Sequence, residues 1–354
     1  MTSKLEGNML KIHHDILIVG GGNAGLSVAA RLRHAGHKGI GLIEPSEKHY
    51  YQPLWTLVGG GRARQRESTR PQASVMPRGV DWIKDKATDI DPESQVVTLA
   101  SGTRVSYKFL VVCPGIQLDW NRIPGLAAAV ESPTGSSNYR FDLAPKTWDL
   151  VRSFTSGTAV FTLPAGPIKC GGAPQKIAYL AADYWRRKGV LDRIRIVLVL
   201  PAPTMFSVGV FSDELKRVAA RYDIEVRTSS EAVGIDPVEQ TVSIENALDG
   251  TREALHYDLI HAVPPQSAPD WLKQSPLADP ESVGGYVELD KNTLRHPRYP
   301  NVFALGDAGS LPTSKTGAAV RKQAPVLVEN LSAAMEGAAP TASYDGYSLS
   351  LIHI

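Results

Sequence analysis

The sequence predicts an α/β fold that contains a Rossmann-like dinucleotide-binding domain, and three observations carry this prediction. A continuous apolar run at 16–19, "ILIV", is typical of a buried parallel strand. It leads through Gly20-x-Gly22-x-x-Gly25 into a helical pattern; these glycines would make the tight turn, admit a pyrophosphate and let helix and strand pack closely. A second apolar strand, "GIGLI", ends at Glu44, where a carboxylate would bind a ribose hydroxyl and disfavour the 2'-phosphate of NADP.

Composition narrows the classes of function. The 354 residues are enough for two or three domains of roughly 100 to 200 residues each. Basic and acidic residues number 38 and 36, so the charge favours a small-molecule ligand over a nucleic acid. Two cysteines, Cys113 and Cys170, exclude a disulfide scaffold. The histidines show no metal-ligand spacing, and no apolar run is long enough to predict a membrane-spanning helix.

Two later segments extend the dinucleotide interpretation. The stretch "YKFLVVCPGIQLDW" predicts a strand that ends at Pro114-Gly115. The stretch "NVFALGDAGSLPTSKTGAAVRKQ" predicts a strand that ends at Gly306-Asp307, followed by a helix with a Thr or Ser cap. Asp307 would bind cofactor hydroxyls, and the positive end of the helix would face an electron-rich ring. A capped turn without any ligand would give the same pattern.

Five further motifs carry a family resemblance. In chain order they are "EPSEKHYYQPLWTLVGGG", "GIQLDW", "PIKCGGAPQKIAYL", "LPTSKTGAAV" and "YDGY". With the glycine fingerprint, they resemble the sulfide:quinone oxidoreductases, in the branch that includes the mitochondrial enzymes, over about residues 13–347. The resemblance implies two Rossmann-like dinucleotide-binding domains of the FAD-dependent pyridine nucleotide-disulfide oxidoreductase type. Residues 13–115 and 285–340 would bind FAD, and 116–284 would form a second domain that carries a redox cysteine.

The predicted second domain distinguishes a sulfide:quinone oxidoreductase from the nearest alternative, a type II NADH:quinone oxidoreductase. Such an enzyme shares the architecture but needs a second glycine fingerprint. The predicted strand "TAVFTLP" instead leads into a loop in which Pro164, Pro167 and Pro174 remove amide donors that a pyrophosphate would need. The next predicted strand, "RIRIVLVLP", runs into "PAPTMF" without a glycine. A related flavoprotein with another electron donor and an inactive FAD-binding relic remain the alternatives.

Cys170 is the candidate catalytic residue. It precedes a helical pattern with Pro174 near its first turn. The positive end of that helix, together with Lys169 and Lys176, would favour the thiolate, although a lone cysteine is also a common buried apolar residue. Cys113 lies in the apolar strand "FLVVC" and is expected to fill core space. The resemblance implies a two-cysteine reaction, in which hydrosulfide converts one cysteine to a persulfide and the other passes two electrons to the flavin.

The resemblance also assigns contacts with FAD, residue by residue. The glycine turn would hold the pyrophosphate, and positions at several strand ends would contact the remaining groups of the cofactor. The pyrophosphate turn consists of Gly20, Gly22, Asn23, Ala24 and Gly25. The other positions are Glu44 for the ribose, Gln52 near the flavin, Ala87 for the adenine, Gly115 and Gly306 at strand ends, Asp307 for the ribityl chain and Lys315 at the flavin's polar edge. No metal is expected.

The implied partners are sulfide, a membrane quinone and a small sulfur acceptor such as glutathione, sulfite or a second sulfide. Peripheral membrane contact would come from a missing C-terminal region. The start of the chain lacks the pattern of a signal or transit peptide, which favours a bacterial enzyme that faces the cytoplasm. A eukaryotic source would place it at the mitochondrial inner membrane. The oligomeric state is not predicted.

The end of the chain departs from the family pattern. In the related branch, "YDGY" leads within three residues to a second redox cysteine, and Ser350 occupies that place here. We therefore expect 341–354 to be a truncated tail. We also expect 349–354, "LSLIHI", to be translated sequencing adapter, because it back-translates to the end sequence of a transposase used in library preparation.

Overall fold

The computed structural model describes residues 12–349, so Ser350 and the rest of the predicted adapter segment after Leu349 lie outside the described residues. The strands are β1 (Ile12–Val19), β2 (Ile40–Ile43), β3 (Lys48–Tyr50), β4 (Thr69–Pro71), β5 (Val80–Ile83), β6 (Ala87–Asp91), β7 (Val96–Leu99), β8 (Arg104–Val112), β9 (Gln117–Leu118), β10 (Gly135–Ser136), β11 (Gly157–Thr162), β12 (Ile194–Val199), β13 (Ile224–Arg227), β14 (Ser230–Asp236), β15 (Thr241–Asn246), β16 (Arg252–His256), β17 (Leu259–His261), β18 (Gln266–Ser267) and β19 (Val302–Ala304). The helices are α1 (Asn23–His34), α2 (Leu54–Gly59), α3 (Gln72–Val75), α4 (Leu126–Glu131), α5 (Leu143–Ser153), α6 (Ala173–Arg187), α7 (Gly209–Arg221), α8 (Asp270–Lys273) and α9 (Gly317–Met335).

Two compact units share the chain, and each is discontinuous in sequence. Within the described residues, the first unit comprises 12–50, 70–117 and 267–349, and the second comprises 51–69 and 118–266. The predicted boundaries placed 51–69 in the first domain and 267–284 in the second. Packing explains this difference in both segments.

The segment 51–69 packs into the second unit through α2. A Cβ placed on Gly59 would lie 3.1 Å from Ile177 of α6 and 3.3 Å from Thr147 of α5. The segment 267–284 packs into the first unit instead, where Leu272 and Leu277 are fully buried in one cluster with Leu17. Apolar contacts of this kind are distant in sequence and leave no local signal.

The first unit is built on a seven-stranded sheet with the path β5-β2-β1-β8-β7-β6, in which β19 also pairs with β8. Successive residues of β1 point to opposite faces of the sheet. Accordingly, Ile16 and Ile18 pack in one buried cluster with Val28 of α1, whereas Leu17 and Val19 pack in another. The apolar run 16–19 is therefore a strand buried on both faces, as predicted.

Parallel pairing brings several strand ends to one edge of this sheet. Val19 pairs with both Ile43 of β2 and Val112 of β8, and Val112 pairs with Ala304 of β19. Ligands of open α/β sheets bind outside the carboxyl ends of such strands. The three segments that the sequence singled out thus end side by side.

A parallel sheet of five strands, in the order β10-β17-β11-β12-β13, forms the centre of the second unit. β11 and β12 are the predicted strands "TAVFTLP" and "RIRIVLVLP", and they pair in parallel. Helix α6 contributes Ile177, Ala181 and Trp185 to the core of this unit, all fully buried. A separate antiparallel sheet contains β14, β15 and β16. The predicted α/β fold class is confirmed, and none of the helices within 12–349 combines the length and apolar character needed to cross a membrane.

Candidate functional site

The three glycines of the fingerprint differ in what surrounds them. Gly20 has a φ of +105°, and a Cβ there would lie 2.3 Å from the carbonyl oxygen of Cys113. A Cβ on Gly25 would lie 1.9 Å from the carbonyl oxygen of Gly20, so helix α1 contacts the turn directly. A Cβ on Gly22 would meet no atom within 4 Å. Gly20 and Gly25 are thus required by the protein's own packing, and Gly22 leaves space beside the backbone.

The N-terminus of α1 adds unpaired amide donors at this open position. Gly22 is the N-cap residue and provides no side-chain cap, and the first turn contains no acidic residue. The amides of Asn23, Ala24 and Gly25 have no intrahelical acceptor, because the first N–H groups of any helix lack one. A negatively charged group such as a pyrophosphate fits such a helix end.

A second helix begins beside the first. Helix α9 starts at Gly317, and a Cβ on this residue would lie 3.5 Å from Nδ2 of Asn23. Thr316 caps α9, because its Oγ1 accepts a hydrogen bond of 3.1 Å from the amide of Ala319. The predicted Thr or Ser cap is therefore present, and two positive helix ends converge on one place.

Glu44 lies at the end of β2 with both carboxylate oxygens directed at the turn. One oxygen accepts from the amide of Gly21 at 2.8 Å and the other from the amide of Ser46 at 2.7 Å. Trp82 holds the backbone of the same residue, since its Nε1 donates to the Glu44 carbonyl oxygen at 2.8 Å. Each carboxylate oxygen has further acceptor capacity, which a ribose hydroxyl can use.

Two residues near Glu44 were missed by the sequence analysis. Gln72 is buried, and its Nε2 donates to the carbonyl oxygen of Gly21 at 2.8 Å. His49 faces Gly21, Glu44 and Gln72, and burial lowers its pKa below the ordinary value despite these partners. Gln72 is 51 residues from Gly21 and carries no motif, so only the fold reveals its role.

The Gly306-Asp307 turn follows β19 at the same sheet edge. Gly306 has a φ of +68°, and its amide donates to Oε1 of Gln323 on α9 at 2.9 Å. A Cβ on Gly306 would lie 3.3 Å from Cβ of Ala24, so this turn touches the start of α1. The structure therefore brings the predicted Gly306 and Ala24 together.

Lys315 is buried under this turn. Its Nζ donates to the carbonyl oxygens of Asp307 at 2.8 Å and Gly309 at 2.9 Å, and it lies 3.6 Å from the centroid of the Tyr286 ring. Burial lowers the pKa of Lys315 to about 8, opposed by the Asp307 charge. Lys315 is therefore a desolvated cation held by the turn, and Tyr286 is a partner that the sequence did not indicate.

Ala87 and Gly115 are two further positions that were predicted to contact FAD. Ala87 begins β6 and is 4% exposed within the apolar cluster that contains Leu99 and Tyr107. Gly115 has a φ of +82°, and a Cβ there would meet nothing within 4 Å. Neither position has a contact in the structure that indicates a role toward a cofactor.

In the second unit, Cys170 lies in the loop that precedes α6 and is half-buried. Its φ is +51°, in the left-handed region, and its sulfur accepts a hydrogen bond from Nζ of Lys176 at 3.6 Å. Gly172 is the N-cap of α6. Pro174 is at the second position of this helix, near its first turn as the sequence indicated. The expected positive charge beside the sulfur is thus present.

Lys169 is held by a separate set of groups in the same unit. Its Nζ donates to Oε1 of Gln52 at 2.6 Å. The same Nζ lies 5.4 Å from the centroid of the Trp55 ring and 5.7 Å from that of Tyr139. Gln52 and Cys170 therefore belong to the second unit, whereas the other predicted site residues belong to the first.

Cys113 has a different environment from Cys170. It is 4% exposed, and its Sγ donates to the carbonyl oxygen of Gly20 at 3.6 Å. Burial raises its pKa strongly, which is typical of an inert core thiol. Among residues 12–349, no group of three or more His, Cys, Asp or Glu side chains is arranged to hold a metal ion.

Comparison with known proteins places the chain in a family. The model of the pyridine nucleotide-disulphide oxidoreductase family matches residues 14–329. The mitochondrial sulfide:quinone oxidoreductase of Mus musculus is 40% identical over 96% of this chain and 75% of its own length. The corresponding enzyme of Dictyostelium discoideum is 41% identical over 98% of this chain and 77% of its own length.

A solved structure supports the same fold. The sulfide:quinone oxidoreductase of Aquifex aeolicus has a TM-score of 0.79 and 19% identity, with 92% of this chain and 77% of that chain covered. Family membership implies a flavin cofactor. The extent of the family match and the identity to the mouse and Dictyostelium enzymes lead to one conclusion: the chain belongs to the pyridine nucleotide-disulphide oxidoreductases and, within them, to the sulfide:quinone oxidoreductase family.

Proposed function

We propose that this chain oxidises sulfide to sulfane sulfur and passes the electrons through FAD to a membrane quinone. The observation that carries the proposal is the contact between Cys170 and Lys176 at the start of α6. A nicotinamide-binding enzyme would have a glycine-rich phosphate turn at this place, and this chain has a half-buried thiol with an ammonium group instead.

FAD is the proposed form of the flavin cofactor. The open backbone at Gly22, the amides that follow it and the carboxylate of Glu44 fit a pyrophosphate joined to a ribose. We assign the pyrophosphate to Gly20, Gly22, Asn23, Ala24 and Gly25, and the other contacts to Glu44, Gln52, Ala87, Gly115, Gly306, Asp307 and Lys315. Bound FAD would supply two-electron transfer between thiol chemistry and the quinone.

Cys170 is the proposed sulfur carrier. Formation of an S–S bond between hydrosulfide and Cys170 releases two electrons, which bound flavin would take up and pass to the quinone, and the sulfane sulfur would stay on Cys170 as a persulfide. Lys176 would stabilise the negative charge that develops on this sulfur, because its ammonium group lies at hydrogen-bonding distance. A small thiol or anion, such as glutathione, sulfite or a second sulfide, would then accept the sulfur.

The place of action follows from the proposed acceptor. A quinone is dissolved in the membrane, so the enzyme would work at a membrane surface as a peripheral protein. The names of the mouse and Dictyostelium relatives assign those enzymes to mitochondria. We propose peripheral attachment for this chain in either a bacterial cell or a mitochondrion.

Anaerobic flavin bleaching tests the proposal. The purified full-length chain, loaded with FAD, is mixed with sulfide or with NADH, and flavin absorbance is followed. We expect sulfide to bleach the flavin and NADH to leave it oxidised. Bleaching by NADH alone would assign the chain to the nicotinamide enzymes, and a flavin that responds to neither would indicate an inactive relic.

Substitution of Cys170 separates FAD binding from the reaction with sulfide. We expect Cys170→Ser to retain the FAD content of the unaltered protein and to lose bleaching by sulfide. Unchanged bleaching in Cys170→Ser would refute the role assigned to this residue.

A further inference from the structure

A buried polar turn follows β10 in the second unit. The amide of Asn138 donates to Nε2 of His261 at 2.9 Å, and Nδ2 of Asn138 donates to Oγ1 of Thr56 at 2.8 Å. The amide of Tyr139 donates to Oγ of Ser137 at 3.3 Å. All five residues are buried. A buried hydrogen-bond network with several partners is rigid, so this turn holds the backbone of Tyr139 in a fixed position.

The hydroxyl of Tyr139 contacts the loop that contains the reactive cysteine. It donates to the carbonyl oxygen of Lys169 at 3.0 Å and to that of Cys170 at 3.2 Å. Because carbonyl oxygens only accept and the hydroxyl has one proton, the two oxygens share this proton. Burial, with a smaller contribution from Cys170, raises the pKa of Tyr139 well above its ordinary value. The hydroxyl therefore keeps its proton and remains a donor.

The backbone at Cys170 needs such support. A φ of +51° is uncommon for a residue with a side chain, and such conformations persist only where the surroundings hold them. The amide of Ala173 donates to the Cys170 carbonyl oxygen at 2.8 Å, and Oε1 of Gln266 accepts from the amide of Lys169 at 2.9 Å. Together with Tyr139, these contacts hold both peptide groups beside the cysteine.

We propose that Tyr139 is a positioning residue for Cys170. Its hydroxyl holds the carbonyl groups of Lys169 and Cys170 in the left-handed arrangement, and this arrangement presents the sulfur to Lys176. The inference rests on the proposed function in taking Cys170 as the reactive thiol. Positioning of the sulfur can nevertheless be measured without sulfide, quinone or turnover.

Alkylation by iodoacetamide measures this positioning in the FAD-loaded chain of 354 residues, whose two cysteines are Cys113 and Cys170. Cys113 is buried, so the native protein reports the rate at Cys170. We expect Tyr139→Phe to slow alkylation about fivefold, the factor given by one lost hydrogen bond. The matched control is Tyr179→Phe, which removes a buried hydroxyl that donates to Gln175 at 3.0 Å within α6 of the same unit. We expect the control to change the rate less than about twofold.

A double-variant cycle tests whether Tyr139 acts through Lys176. Lys176→Met should slow alkylation in the unaltered background and should have little further effect in the Tyr139→Phe background. A simple loss of stability would leave the two effects independent. An unchanged rate in Tyr139→Phe, or a full Lys176→Met effect in that background, would overturn the proposal.

Rescue keeps the test decisive if Tyr139→Phe folds poorly. Replacement of Tyr139 by p-aminophenylalanine keeps the ring and restores a donor at the same place. We expect this variant to recover at least half of the alkylation rate and to keep the effect of Lys176→Met. Failure on either count would overturn the assignment, whereas a failed sulfide assay with intact coupling would refute only the proposed function.

Discussion

Nζ of Lys176 lies 3.6 Å from Sγ of Cys170, at the start of helix α6, which follows β11 of the second parallel sheet. Lys176 is itself 9% exposed, so little water separates its charge from the sulfur. Partial desolvation of an ammonium group strengthens its electrostatic interaction with a nearby anion. The pair is therefore arranged for a step in which negative charge develops on sulfur.

Lys176→Met is expected to slow flavin bleaching by sulfide about tenfold or more. A hydrogen bond to a charged group contributes roughly 1.5 to 3 kcal/mol, and 1.4 kcal/mol corresponds to a factor of ten. Stopped-flow absorbance would measure the rate. The control is Lys188→Met at the C-cap of α6, where the lysine is exposed and its Nζ lies 5.6 Å from the centroid of the Tyr184 ring. Equal rates for the two variants would contradict the assigned role of Lys176.

Glycine substitutions should separate folding from cofactor binding. Gly25→Ala forces a Cβ to within 1.9 Å of the Gly20 carbonyl oxygen, so we expect it to lower the free energy of unfolding of the apoprotein by about 1 to 3 kcal/mol or more. Gly22 has a φ of −74° and open space around it, so Gly22→Ala should leave apoprotein stability almost unchanged.

The same Gly22→Ala variant should bind FAD more weakly, because the methyl group would occupy the space proposed for the pyrophosphate. Flavin fluorescence titration measures the affinity, and thermal melting of the apoprotein measures the stability. Gly209→Ala is the control, since Gly209 starts α7 in equally open surroundings within the second unit. Tight FAD binding by Gly22→Ala would contradict the proposed pyrophosphate position.

Local sequence signals predicted the strand ends of the site but not the side chains that support them. The apolar run at 16–19, the cap at Thr316 and Pro174 near the start of α6 each depend on neighbouring residues, and the structure has all of them. Gln72 and Tyr139 act on residues 51 and 31 positions away, respectively. Such contacts arise only when the sheets assemble, so no window of sequence predicts them.

The boundaries of the two units also depend on contacts that local sequence does not predict. Predicted domains followed the motifs, which are continuous in sequence, whereas packing assigned 51–69 and 267–284 by their buried faces. Trp55 illustrates the difference, because it follows Gln52 within a family motif and is buried in the second unit. Motif order therefore predicted the fold class, and tertiary contacts decided the borders.

Lys315→Met is expected to lower the midpoint potential of the bound flavin. We place the lysine beside the flavin's polar edge, where its charge would stabilise the reduced, anionic form. Loss of about 1.4 kcal/mol of this stabilisation corresponds to a shift of roughly 30 mV for a two-electron couple. Redox titration against indicator dyes measures the shift. Lys322→Met, at an exposed position of α9, should leave the potential unchanged, and equal potentials for both variants would contradict the placement of Lys315.

Acid should destabilise the second unit through His261. This residue is fully buried, and burial lowers its pKa from 6.5 to about 3. Between these values the unfolded chain binds a proton that folded His261 does not bind. The free energy of unfolding therefore falls as the pH drops through this window, by up to about 1.4 kcal/mol per pH unit for one proton.

His261→Gln should reduce this pH dependence by close to one proton, because glutamine does not titrate and its side-chain oxygen can accept from the Asn138 amide. Urea unfolding at several pH values between 3 and 7, followed by tryptophan fluorescence, gives the slope. His296→Gln is the matched comparison, since burial lowers the pKa of His296 to about 4 in the first unit. If His261→Gln retains the original slope, protonation of His261 does not couple to unfolding and the buried neutral state assigned to it is wrong.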